Sequence, residues 1–89
     1  MATTTFDCAV SGPASTLADQ LRAADITIDG PVTDLVLTEI DLAIRDVAGL
    51  AAGETGDHVA HIHGSVTDDP PVEAHNASIT PIVAEEPGA

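Results

Sequence analysis

The chain has 89 residues, with 15 Asp+Glu against two basic residues, Arg22 and Arg45, no Lys, and a formal net charge of −13. One small domain is all this length allows, and the charge argues against nucleic acid, whose affinity for proteins comes largely from Lys and Arg displacing counterions, and against anionic membranes. With Phe6 the one aromatic residue and Cys8 the one cysteine, no internal disulfide forms and the interior must be built from Val, Ile, Leu and Ala, a thin core that gains from a partner or from self-association.

Residues Thr3 to Val10 alternate, with Phe6, Cys8 and Val10 on one face and Thr5, Asp7 and Ala9 on the other, which predicts a half-buried strand. Gly12-Pro13 ends it, and proline suits the first position of a helix because its missing N–H has no partner there. Leu17, Ala18, Leu21 and Ala24 follow at helical spacing, with Asp19 and Arg22 as an exposed pair three residues apart. Ile26-Thr27-Ile28 predicts a short strand. After Gly30-Pro31, the residues Val32, Leu35, Val36, Ile40, Ala43, Ile44 and Val47 fit a helical template from which Glu39 departs, and Asp41 and Arg45 form an i,i+4 pair. Period outweighs the mild helix cost of the β-branched residues, a few tenths of a kcal/mol each. This predicts a helix from Pro31 to about Gly49, fraying through Gly53.

Gly53 to Asp57 reads as a loop. His58 to Thr67 and Val72 to Ala84 read as strands joined by Asp68-Asp69-Pro70-Pro71, with Pro81 assigning the last strand to a sheet edge or ending its pairing early. The order β-α-β-α-β-β predicts an α+β two-layer sandwich: two helices on one face of a small mixed sheet that ends in a β-hairpin. Residues 1–84 form one domain in this reading, and 85–89 a frayed tail.

The constellation with possible chemistry is His58, His61, His63 and His75. His-x-His on a strand puts two rings on one face, about 7 Å apart along the pleat, a spacing that can supply two ligands to zinc or copper with a third from a neighbouring strand. If the hairpin paired His63 with His75, then His61, His63 and His75 would form the ligand set, with His58 or Cys8 as additions. The apolar pattern argues for another register. Ala60, Ile62 and Val66 share one face of the first strand, and Ala77, Ile79 and Val83 one face of the second. Packing both sets inward turns His61 and His63 outward beside Asn76 and Ser78, and places His75 on the inner face near Gly64, and a one-residue slip would turn one apolar set to water. A bulge is what would restore the metal arrangement. Outward histidines would also make an acidic surface responsive to pH near 6.5.

Ala60-His61-Ile62-His63-Gly64 resembles the short histidine motif of CHRD domains, and the His-x-His resembles that of cupins, although the glycine spacing differs from the cupin pattern and its later Pro, Gly and His elements are missing. The likeness covers five residues and carries over neither a fold nor a function. Cys8 lies on the apolar face of its strand and reads as packing rather than as a nucleophile. No phosphate loop occurs, Gly49 to Gly56 lacking the Lys and the following Ser/Thr. The acid pairs Asp68-Asp69 and Glu85-Glu86 read as solvated turn and tail residues, without EF-hand spacing. Asn76-Ala77-Ser78 matches the glycosylation triplet, which also arises by chance.

The absence of Lys, the excess of Asp over Glu and the many Ala, Thr, Val and Gly resemble the composition of halophilic archaeal proteins; a GC-rich actinobacterial or phage source shares much of this, usually with more Arg. No segment has the roughly 18 apolar residues of a membrane span or the features of a signal peptide, so a cytoplasmic or virion location is expected. The leading expectation is a non-enzymatic structural or accessory subunit of a larger assembly, a virion or particle component being one form, with protein partners or self-association through the outward helix face at Leu37 and Leu42. The alternative is a small metal-binding protein using His61, His63 and His75. A small enzyme would need a pocket of convergent polar groups that a chain this short does not enclose alone.

Overall fold

A computed structural model describes residues 2–68 and 70–82; the tail expected at 85–89 and the last two residues of the strand expected to reach Ala84 lie outside the described residues. Strand β1 (Thr3–Pro13) leads through a single 3-10 turn (Ala14–Thr16) into helix α1 (Leu17–Ala23), strand β2 (Thr27–Asp29), helix α2 (Asp34–Ala51) and the hairpin of strands β3 (Asp57–Asp68) and β4 (Pro71–Pro81). Both helices cover one face of a four-stranded sheet of order β2-β1-β3-β4. The α+β order and the C-terminal hairpin are as the sequence pattern predicts.

The sheet is antiparallel throughout rather than mixed. Helix lengths explain the difference. The seven residues of α1 advance only about 10 Å, far less than the length of β1, so the chain cannot return to the start of β1 as a parallel neighbour must. It enters β2 alongside Asp7 and keeps running against β1. The 18 residues of α2 advance about 27 Å and carry the chain back to the end of β1, where Asp57 opens β3 opposite Pro13. Strands β2 and β3 do run the same way, but β1 lies between them.

Strand β1 runs past Val10 to Pro13 because of backbone phase. The bonds Asp68 N to Ala2 O and Ala14 N to Gly56 O show that even-numbered residues of β1 point their peptide groups at β3. Pro13 falls on the odd phase, where no bond to β3 is lost. Helix α2 begins later than its Gly-Pro punctuation suggests. Thr33 is the cap, its Oγ1 accepting from Val36 N, and Pro31 lies outside the helix with its carbonyl accepting from Thr4 Oγ1. Gly30 reaches that corner with φ +121°, and a Cβ there would stand 2.7 Å from Thr3 O, so only glycine fits without strain.

The core lies between α2, α1 and the two central strands. Val36, Ile40, Ala43, Ile44 and Val47 of α2 and Leu17 and Leu21 of α1 pack on Phe6, Ala60, Ile62 and Val66. Strand β4 adds only the half-buried Ala77 and Ile79, so its inner face sits at the rim of the core. The two arginines meet at one acid. Arg45 pairs with Asp41 at 2.9 Å as expected, whereas Arg22 reaches Asp41 at 4.0 Å instead of Asp19 and so ties α1 to α2.

Candidate functional site

In the hairpin His61 is paired with Ser78, His63 with Asn76 and Gly64 with His75, so the register follows the apolar pattern. It divides the set expected to hold zinc or copper. His61 and His63 stand on the open outer face, while His75 is on the inner face under α2. The pleat separates them, since residues of opposite parity in this register point to opposite sides of the sheet. His58 is buried at the far end of β3, its Nδ1 donating to Gly56 O at 3.1 Å and its Nε2 3.6 Å from Glu54. Cys8 lies half-buried on the inner face opposite Ile62. Burial, helped by the neighbouring Asp7 carboxylate, pushes its thiol pKa up, which favours the unreactive thiol over the thiolate.

On the outer face the two histidine rings stand 5.1 Å apart, centroid to centroid. His61 Nε2 donates to Asp7 Oδ1 at 2.6 Å. With Thr5, Thr27 and Asp29 they line a shallow depression of about 460 Å³. Among the described residues no group of three or more His, Cys, Asp or Glu side chains is placed to hold a metal ion.

Matching of the chain to family models, to curated proteins and to solved structures finds no counterpart. The reading therefore stands on the geometry of these residues alone.

The most ordered polar arrangement is one the sequence pattern did not assemble. His75 Nδ1 donates to Glu39 Oε2, and His75 Nε2 donates to Asp46 Oδ2 at 2.7 Å. Glu39 and Asp46 lie seven residues apart on α2, two turns on one side of the helix, and both reach down to β4. Two carboxylate acceptors on the two ring nitrogens are satisfied together by the doubly protonated imidazolium. The Glu39 side chain is 5 % exposed and that of His75 20 %, so a buried carboxylate is paired with a half-buried imidazolium, with the solvated Asp46 at the mouth. These bonds, that to Glu39 foremost and then that to Asp46, raise the pKa of His75 above its ordinary 6.5 against a lowering by burial. A signal for this pair was present: Glu39 is the one polar residue inside the apolar template of α2, and His75 the histidine on an inner strand face. Buried charges need partners, and these are the complementary ones.

A pH dependence follows. Because the folded-state pKa of His75 lies above that of the unfolded chain, the stabilisation is complete below about pH 6.5 and is lost as pH rises through the raised value. Calorimetric melting is expected to show the transition temperature falling across that interval in the native chain, and the His75→Gln variant is expected to lack that step. Glu39 and Asp46 from α2 face this imidazole, and Glu73 shares its face of β4 two residues away.

Leu37 and Leu42 are both exposed, at 53 % and 40 %, but they do not form one patch. Five residues apart, they point about 140° apart round the helix. Leu37 lies toward Asp41 and α1. Leu42 lies beside Glu39 and Asp46 on the flank toward β4, one turn-pair from the exposed Leu35.

No helix among the described residues is long and apolar enough to cross a membrane.

Proposed function

We propose that the chain is a non-enzymatic structural or accessory subunit of a larger assembly that works in concentrated salt, and that copies join through the β3–β4 hairpin. A particle or virion is one form such an assembly takes. The observation that carries this reading is where the acids are missing. The ten outward positions of the hairpin, alternate residues from Val59 to Thr67 and from Val72 to Thr80, hold no carboxylate, although the chain has 15 acids and a net charge of −13. Among the described residues the acids sit instead on the helices, loops, strand ends and β1–β2, with Glu73 on the inner face of the hairpin. Charge keeps a wetted surface wetted, whereas surfaces covered by a partner are depleted of it. The outer hairpin face of Val, Ala, Ser, Thr, Asn and His carries no carboxylate, Lys or Arg, and the thin, almost aromatic-free core gains from being covered.

Salt enters because whole chains of this charge repel at a distance. In molar salt the Debye length falls to about 3 Å, and short-range contact at the hairpin then prevails. Sedimentation equilibrium is expected to give the mass of one chain in dilute low-salt solution and a multiple of it in molar potassium chloride. A single-chain mass at every salt and protein concentration would overturn the reading.

A further inference from the structure

Strand β4 ends the described sheet, and its free side has a pattern. Ile82 N donates to Asp57 O at 2.9 Å, and the register from His58–Pro81 to Asp68–Pro71 is unbroken. In an antiparallel pair the peptide groups of alternate residues face the partner. Even-numbered residues of β4 therefore bond to β3, and odd-numbered residues turn their N–H and C=O groups to the open edge. The outward donors are Glu73, His75, Ala77 and Ile79. Pro71 and Pro81, also odd, bracket them and have no N–H to offer. The array is symmetric about Asn76.

We propose that β4 pairs antiparallel with β4 of a second copy about a two-fold axis through Asn76, joining two sheets into one of eight strands. This rests on the reading that the hairpin is the contact surface, and it names the partner and the register. With residues summing to the same value across the axis, His75 pairs with Ala77 of the other copy and Glu73 with its Ile79. All four free donors meet carbonyls, and each Pro71 falls opposite a Pro81, where no donor is required. Shifting the register by two residues sets a proline against Glu73 or Ile79, whose carbonyl then receives no donor, whereas here the carbonyls left without donors are those of the prolines at the ends of the ladder. Within the strand ladder like charges do not meet either: Glu73 is the only carboxylate on β4, and here it faces isoleucine. The prolines block pairing only at the two ends of the strand, so its middle keeps a run of open donors and acceptors of the kind that pairs with another edge, and a two-fold interface must be self-complementary, as this one is.

The helices agree with the pairing. Helix α2 sits over β3 and β4. With strands about 4.8 Å apart, its axis stands about 5 Å from the seam, so the two copies of α2 come to about 10 Å, at the upper end of helix packing distances. Leu35 and Leu42, exposed in the single chain, are on the flanks that face each other across the seam.

The test uses single cysteines in a Cys8→Ser background. Asn76 meets its own copy as a non-hydrogen-bonded pair, with Cα atoms about 4.5 Å apart, within disulfide reach. Asn76→Cys is expected to cross-link to a dimer on mild oxidation, whereas Ala74→Cys and Ser78→Cys, each about 13 Å from its own copy along the strand, are expected not to. Ala77→Pro removes one outward donor without touching the β3 ladder and is expected to weaken self-association at least tenfold while leaving the circular dichroism spectrum unchanged. An oligomer that fails to cross-link at Asn76→Cys, or that cross-links at Ala74→Cys or Ser78→Cys instead, overturns the edge pairing and leaves the broader reading standing. So does unaltered association in Ala77→Pro; if that variant does not fold, the cysteine series decides alone. A chain that stays single under all conditions overturns both.

Discussion

Replacing His75 with alanine is expected to destabilise the chain by about 3–5 kcal/mol, the usual effect of removing one partner of a buried ion pair. The imidazolium is the hydrogen-bond partner of the Glu39 side chain, which is 5 % exposed. Without it, a carboxylate remains beneath α2, largely out of water and without its donor. A domain of this size has a total stability on the order of 5–15 kcal/mol, so the variant loses a large fraction of its margin. The cause is separable from simple loss of packing. The double replacement Glu39→Leu with His75→Val removes both charges and is expected to recover most of the loss, because buried pairs exchanged for packed apolar groups are often neutral or better. Urea unfolding of the single and double variants measures both; a double variant no more stable than His75→Ala would show that the charge argument is wrong.

A comparable loss, about 3–5 kcal/mol, is expected for Phe6→Ala. Phe6 is the only ring in the chain and is 2 % exposed. It lies across Gly64, its register partner on β3. A Cβ at Gly64 would stand 2.6 Å from the Phe6 ring and 2.4 Å from Ala74 O, so the glycine makes the room and the ring fills it, an aromatic cover over a sheet glycine. Removing the ring opens a cavity in the middle of the sheet that Gly64, having no side chain, cannot close. Phe6→Leu, which keeps most of the volume, is expected to lose clearly less. Chemical denaturation of the two variants compares them directly, and equal losses would contradict the cavity account.

The hairpin register was legible from the sequence because parity alone decides it. Ala60, Ile62 and Val66 are even, Ala77 and Ile79 are odd, and one arrangement buries both sets. The same parity places His75 inward and His61 and His63 outward, and so divides the candidate metal ligands. It did not supply the partners of His75. Which turn of α2 lies over which residue of β4 depends on how helix and sheet are superposed, and a one-dimensional period leaves that free. Glu39 was therefore visible only as a departure from the template. The run of β2 was likewise hidden, since its direction depends on the advance of α1 against that of β1. Gly30-Pro31 has the form of a helix opening, yet α2 starts later, because Thr33 supplies the cap. The separation of Leu37 from Leu42 follows from helical phase alone.

The account turns on whether the open side of β4 is where one molecule meets the next. Residue-resolved hydrogen exchange on the native chain measures this, comparing the dilute low-salt state with the concentrated high-salt state. In the first, the amides of Glu73, His75, Ala77 and Ile79 are expected to exchange rapidly while those of Ala74, Asn76 and Ser78, bonded to β3, are slow; in the second, both sets are expected to be slow. Association that leaves the odd-numbered amides as fast as before would contradict the pairing of β4 with β4.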